Sequence, residues 1–380
     1  MKIGIVCYPT YGGSGVVATE LGKALADKGH SVHFISYKQP FRIDFFSSNM
    51  YYHEVNISNY PLFDYAPYET VLASKLVDVI KYEKLDLVHV HYAIPHASAA
   101  YLAKQILKEQ GIHIPVVTTL HGTDITLVGK DATFAPVVTF SINHSDGVTA
   151  VSQNLKEDTL RYFKVEKEIE VIPNFIDFDR FSKTNKEHFK KAIAPEGERI
   201  LIHISNFRKV KRVRDVILIY QKVIEQIPAK LLLVGDGPDR TNAEQLCREL
   251  GICNGIRFLG KQDAVEELLA ISDLFLMPSG SESFGLAALE AMACQVPVIS
   301  SDIGGIPEIN VHGVTGFMSS VGDVKDMARN AIFILSSEER LQQFKANAYQ
   351  QAQKFKLENI LPMYERFYEK VIEGIKEPVA

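Results

Sequence analysis

The chain has 380 residues, of which 46% are hydrophobic and 23% charged, and its net charge is −5. That length implies two domains rather than one, and the negative balance excludes a global basic field for nucleic acid or anionic membrane. No stretch reaches membrane-spanning length, and the opening apolar run, Met1 to Cys7, is too short for a signal peptide, so a cytoplasmic protein with no stable membrane insertion is expected. The four cysteines, at positions 7, 247, 253 and 294, show no C-x-x-C spacing. Reduced thiols are expected, with no zinc site and no disulfide frame.

Apolar, β-rich runs alternate with helical patterns from end to end. Strands are predicted near 2–7, 31–36, 86–90, 115–119, 147–151 and 169–172, with helices between them such as 15–28, 68–82, 97–110 and 153–162. A second series has strands near 200–205, 230–234, 256–259, 273–277 and 297–300, and helices near 212–226, 240–250, 264–270, 285–293 and 323–335. This βαβ alternation predicts an α/β protein with two doubly wound parallel sheets. The break is expected near Pro173-Asn174, giving domains 1–173 and 174–354. The tail, 355–377, reads as a helical pattern interrupted at Pro362.

The first strand runs into Tyr8-Pro-Thr-Tyr-Gly-Gly-Ser-Gly15 and then a helix. Glycines allow a sharp turn and close approach to a ligand, and a helix start offers free N–H groups, which makes Gly13 and Ser14 candidates for phosphate contact. The spacing is not G-x-G-x-x-G, and no acid closes strand two, so a dinucleotide site is not indicated. Lys38 and Arg42 follow strand two, where a cation pair for an anionic ligand and a solvated loop fit equally well.

Two later strands end in rings and hydroxyls. Leu87-Val-His-Val-His-Tyr92 alternates so that His89 and His91 share a face, and Tyr92 stands at the strand end. For His96, after Pro95, helix capping is the plain explanation. Val116-Val-Thr-Thr-Leu120 leads into His121-Gly-Thr-Asp124. Ligands of open α/β sheets bind beyond the carboxyl ends of strands, which places His121 well for a site.

In the second half the strand ending at Ser205 is followed by Asn206-Phe-Arg-Lys-Val-Lys-Arg212, a cluster of cations at a strand end. The turn at Gly235 and the segment Phe258-Leu-Gly260 follow other strands. The most informative stretch is Pro278-Ser-Gly-Ser-Glu-Ser-Phe-Gly-Leu-Ala-Ala-Leu-Glu290: strand, polar loop, helix start. The amides of Phe284, Gly285 and Leu286 would point out of that helix start, a setting that attracts phosphate. Glu282 and Glu290 bracket it, and ionised carboxylates accept several hydrogen bonds from sugar hydroxyls. Ser301-Asp-Ile-Gly-Gly-Ile-Pro-Glu308 follows.

This stretch resembles the E-x7-E motif of retaining glycosyltransferases with the GT-B fold, in which two Rossmann-like domains face a central cleft. The resemblance covers nearly the whole chain and implies roles for its residues. Glu282 would hold the donor sugar, the amides at 284–286 a phosphate, and Glu290 the ribose. Arg208 and Lys211 would neutralise the leaving diphosphate, which removes the need for a metal or other cofactor. His121 would lie beside the reacting sugar. Gly13, Ser14, Asn206, Gly235 and Phe258 would complete the donor site, and the tail helix would cross back onto the first domain.

First-domain segments, among them Cys7 to Gly15, His89 to His96 and Leu120 to Thr126, are similar to the bacillithiol-pathway family that joins N-acetylglucosamine from UDP-GlcNAc to L-malate. That resemblance implies UDP-GlcNAc and L-malate as the partners, with Ser14, Lys38, Arg42, Tyr92, Thr119 and Thr123 as acceptor-site candidates. A lipid or polysaccharide acceptor, and a UDP-sugar epimerase, remain alternatives. A homodimer is left open.

Overall fold

The computed structural model describes residues 1–10, 13–40, 43, 49–57, 66–129, 131–182 and 186–376. Tyr11, Gly12 and Arg42 lie outside the described residues. The chain divides into two compact units, Met1–Asn174 together with Leu357–Ala380, and Phe175–Lys356.

The first unit is a seven-stranded parallel sheet. Its strands are β1 (Lys2–Val6), β2 (Ser31–Ser36), β3 (Met50–Glu54), β4 (Leu87–His91), β5 (Val116–Leu120), β6 (Gly147–Ala150) and β7 (Ile169–Val171), in the order β3-β2-β1-β4-β5-β6-β7. The order reverses direction beside β1 and β4, the place where open α/β sheets gather their ligand groups. Every residue of β4 and β5 is buried. That is why these strands read as nearly continuous apolar runs.

The second unit holds β8 (Arg199–Ile204), β9 (Ala229–Val234), β10 (Ile256–Gly260), β11 (Leu274–Met277), β12 (Val298–Ser301) and β13 (Gly316–Ser319), all parallel, in the order β10-β9-β8-β11-β12-β13. Its core joins Leu231 and Leu233 of the sheet to Ile217, Tyr220, Met327 and Ile334 of the covering helices. Each fully buried aliphatic side chain contributes about 1.5–3 kcal/mol there. At the other end of β11, buried Asp273 accepts from Lys345 Nζ (2.8 Å), Lys190 Nζ (3.2 Å) and the Ile200 amide (3.1 Å), pinning β8 and β11 together.

Three features differ from the sequence expectations. Met50–Glu54 and Gly316–Ser319 are edge strands whose short, half-exposed sequences carry little periodicity. Glu338–Ala352 is a helix that the second series lacked. The tail does not break at Pro362: one helix runs from Leu357 to Lys376 with Pro362 inside it. Pro362 is the sixth residue of the helix, so its ring forfeits a single bond near a terminus, while Tyr364 and Tyr368 further along are fully buried. This helix belongs to the first unit, where the Tyr368 hydroxyl meets His89 Nδ1 at 2.7 Å.

Candidate active site

Each unit carries one set of candidate residues, at the carboxyl edge of its own sheet. In the second unit close backbone packing shapes that edge. Gly235, with φ of 116°, lies where a Cβ would come within 1.8 Å of the Ser205 carbonyl oxygen, and Gly237 is as tightly placed against Asn206 (1.9 Å). Only glycine lets the turn after β9 lie on the loop after β8. Asn206 and Arg208 are held out, exposed, by this arrangement, and the Lys211 amide donates to the Arg208 carbonyl at 2.7 Å.

The loop after β11 is tied in the same way. The Gly280 amide donates to the Val210 carbonyl (2.7 Å), and the Gly305 amide donates to the Glu282 carbonyl (3.0 Å). Gly304, at φ 62°, would bring a Cβ within 1.8 Å of that same carbonyl oxygen. The Gly304-Gly305 pair therefore sets where Glu282 stands. Lys211 Nζ donates to Glu282 Oε1, an ion pair between the loops that follow the neighbouring strands β8 and β11. The sequence reading gave these two residues separate ligand roles and missed their pairing. The adjacency of β8 and β11 in a doubly wound order was the signal that could have shown it.

Gly285 caps the helix Leu286–Ala293 at φ 94°, and the first bonds within that helix run from the Ala288 and Leu289 amides to the Gly285 carbonyl (2.9 and 3.1 Å). The amides of Phe284, Gly285 and Leu286 precede those bonds, as a phosphate-binding helix start requires. The Phe284 ring is buried against Phe355, with centroids 5.7 Å apart, so that residue offers its backbone. The Phe258 side chain packs against the unit's core. Glu290 is half-buried one turn into the helix. Arg212, the last cation of the basic cluster, is taken by Asp215 (Nε to Oδ2, 2.6 Å).

In the first unit the edge is made of rings. Tyr92, at φ 89°, shares a 2.5 Å hydrogen bond with Ser14 Oγ, and the Thr123 side chain also bonds its phenol. Three of the acceptor candidates thus converge on one hydroxyl. Tyr8 lies 5.5 Å from the Tyr92 ring and 4.5 Å from His96, and Tyr92 lies 5.2 Å from His121. Gly15 is required for the turn: a Cβ there would meet the Tyr8 carbonyl oxygen at 2.5 Å. Gly13 is the exposed cap of the first helix, and Lys38 is exposed beyond β2.

Beneath these rings lies a chain of neutral imidazoles. His121 Nε2 and His91 Nδ1 share a 2.7 Å hydrogen bond, and the His89 and His91 rings lie 4.4 Å apart. Burial pushes the imidazoles of His89 and His121 down to about 3 and that of His96 to about 4, and holds His91 well below the ordinary range. His96 is no helix cap, because its Nδ1 meets the His91 carbonyl at 2.5 Å inside the core. Thr119 needs correction too. It is fully buried, and its hydroxyl is shared between His89 Nε2 (2.7 Å) and Thr149 Oγ1 (2.6 Å), so it supports the histidines instead of facing a ligand.

One important residue escaped the sequence reading. Asp124 accepts from the amides of Ala93 (2.8 Å), Gly122 (3.0 Å) and His121 (3.3 Å), tying the loop after β5 to that after β4. Burial raises its carboxyl to about 6 against the pull of those amides. Its place in His-Gly-Thr-Asp, three residues after the histidine, is the pattern of a side chain folding back on its own loop.

Two family profiles between them span most of the chain: Glycosyltransferase Family 4 matches residues 11–180, and Glycosyl transferases group 1 matches residues 184–351. The N-acetyl-alpha-D-glucosaminyl L-malate synthase of Bacillus anthracis is 49% identical over 378 residues, 99% of this chain and 98% of that protein. The chain belongs to the GT-B glycosyltransferases of group 1. Solved structures agree on the fold of this glycosyltransferase. A sucrose-phosphate synthase from Thermosynechococcus elongatus has a TM-score of 0.81 at 21% identity, covering 98% of this chain and 100% of that one. An Anabaena protein in complex with UDP and glucose has a TM-score of 0.81 at 20% identity, covering 100% of both.

Proposed function

We propose that this glycosyltransferase moves N-acetylglucosamine from UDP-GlcNAc to the hydroxyl of L-malate, with retention and without a metal or other cofactor, as the first step of bacillithiol biosynthesis in the cytoplasm. The 49% identity along the whole chain to an N-acetyl-alpha-D-glucosaminyl L-malate synthase carries this reading. The second unit's edge supports the donor half, with a helix start for phosphate, two cations at a strand end and a carboxylate fixed by Gly304 and Gly305.

On this reading Arg208 and Lys211 take up the charge that grows on the leaving diphosphate, together with the amides at 284–286. Glu282 accepts from the sugar hydroxyls and Glu290 from the ribose. The Lys211–Glu282 pair then opens on donor binding: Lys211 turns to the diphosphate and Glu282 to the sugar, each exchanging one charge-assisted bond for another. No carboxylate is assigned as a covalent nucleophile. The malate hydroxyl attacks from the face the diphosphate leaves, and a diphosphate oxygen takes its proton.

His121 acts as a neutral hydrogen-bonding group, since burial keeps its imidazole uncharged near pH 7. Ser14, Tyr92 and Thr123 are assigned to malate, with Lys38 and Arg42 as cations for its carboxylates and Thr119 withdrawn to a supporting place. Gly13, Asn206, Gly235 and Phe258 are assigned to the donor through their backbone or loop position.

The test is UDP release from UDP-GlcNAc, with and without L-malate, in buffer containing EDTA. Malate-dependent release is expected. Release only with a different acceptor would discard malate, and release without any acceptor would move hydrolysis or epimerisation to the front.

A further inference from the structure

We propose that His33, His53 and Glu83 form a binding site for a divalent transition metal such as zinc, away from the residues assigned to sugar transfer. His33 lies on β2 and His53 on β3, offset by two positions in the parallel register, so both project from the same face of the sheet. Glu83 is the last residue of the helix Tyr68–Glu83, which ends beside Lys2 at the start of β1. Among the described residues these three alone gather as a His/Cys/Asp/Glu group of metal-ligating geometry, with one ligand atom from each all within 4.8 Å of one another.

The donor set and spacing fit zinc. Tetrahedral coordination at about 2.0–2.1 Å puts two nitrogen ligands roughly 3.3 Å apart. His33 Nδ1 and His53 Nε2 stand at 3.0 Å, so a slight opening admits the ion, and Glu83 supplies a carboxylate oxygen as third ligand. Water would complete the shell, because His53 and Glu83 are half-exposed and leave a path in.

The outer shell points the same way. His33 Nε2 meets Ser31 Oγ at 3.2 Å. With the proton on Nε2, donated to that hydroxyl, the Nδ1 lone pair faces His53 and Glu83, the arrangement in which a second partner fixes the tautomer of a metal-binding histidine. Tyr51 stacks on the His33 ring with centroids 4.7 Å apart and holds its plane. Burial pushes His33 down to about 4, with His53 and Lys2 adding to it and Glu83 opposing. Burial lowers His53 as well, with Lys75 adding and Glu83 and Asp78 opposing. Positions 33, 53 and 83 show no ligand spacing in the sequence, so the expectation of no metal is revised here for a site outside the reaction.

The site binds the metal by coordination alone and performs no chemistry in this proposal. The test uses the full chain stripped with chelator, dialysed against zinc sulfate and then against metal-free buffer. Metal content and melting temperature are then read. About one equivalent of retained zinc and a raised melting temperature are expected. Cobalt(II) in its place should show the intense visible bands of a tetrahedral site. His53→Ala and Glu83→Gln, both at half-exposed positions, should fold and lose the retained equivalent. Cys253→Ser should keep it, which separates this site from the thiols of Cys247 and Cys253, whose sulfurs lie 2.8 Å apart. Zinc retained by both His53→Ala and Glu83→Gln, or no retention by the parent chain, would overturn the proposal. Malate-dependent UDP release should be unchanged in the two variants, so failure here and failure of the transferase reading are read from different measurements.

Discussion

The two carboxyl edges are built on opposite electrostatic plans. In the second unit the groups are charged and reach outward from loops: Arg208, Lys211, Glu282. In the first unit they are rings and hydroxyls, with histidines held neutral by burial and bonded to one another. A leaving diphosphate needs charge at the moment of bond breaking. A nucleophile arriving as a hydroxyl needs positioning, which neutral groups supply, while the proposed cations Lys38 and Arg42 answer the carboxylates of malate.

The comparison breaks first at Glu282. Glu282→Ala should lower kcat by about 10²–10³-fold while UDP still binds, because in the proposed function the carboxylate acts on the sugar. A parallel loss of UDP affinity in calorimetry would reassign it. Gly304→Ala should follow with a fall of about 10²-fold in kcat and an intact fold, since a Cβ cannot share space with the Glu282 carbonyl and the loop must shift. Wild-type kinetics there would show that the exact place of Glu282 is unimportant. Glu290→Ala should weaken UDP binding by roughly tenfold, the scale of one hydrogen bond to a charged group, with kcat at saturation little changed.

The first unit is better broken by acid. His89, His96 and His121 have folded values of about 3 to 4 against 6.5 for free imidazole, and His203 in the second unit has about 4. The unfolded chain therefore binds more protons than the native one below about pH 6.5, and stability falls as pH drops from there towards 4. Each such histidine contributes up to about 1.4 kcal/mol per pH unit in that window. Asp124, raised from 3.8 to about 6, works in the opposite sense but is one group against several. Melting temperatures at pH 7 and pH 5 check this, and equal values would mean the histidines are not buried neutral. The smallest effect is expected from Tyr368→Phe, about 1 kcal/mol in urea unfolding with kcat unchanged. A large loss of turnover would draw the tail helix into the chemistry.

Legibility in the sequence followed the same divide. The fold class read well because fully buried parallel strands such as Leu274–Met277 announce themselves as apolar runs. Met50–Glu54 did not, because an edge strand needs no such run. The second unit's residues stood out because charge and glycine at strand ends are visible one segment at a time. The first unit's contacts were hidden. Thr119 could be placed only by knowing that His89 and Thr149 flank it, and His89 only by knowing that Tyr368 arrives from 279 positions away. Lys211 and Glu282, 71 positions apart, paired for the same reason.

The returning tail helix has a consequence for how the protein is made. Residues 1–174 leave the ribosome before the helix carrying Tyr364 and Tyr368, which is synthesised only after the whole of the second unit. At roughly 5–20 residues per second, the opening segment waits on the order of ten to forty seconds for its final layer. During that interval the polar face of His89 and the apolar surface meant for the two tyrosines stand open to water and to chaperones. The second unit, contiguous in the chain, meets no such delay and can finish folding before the first does.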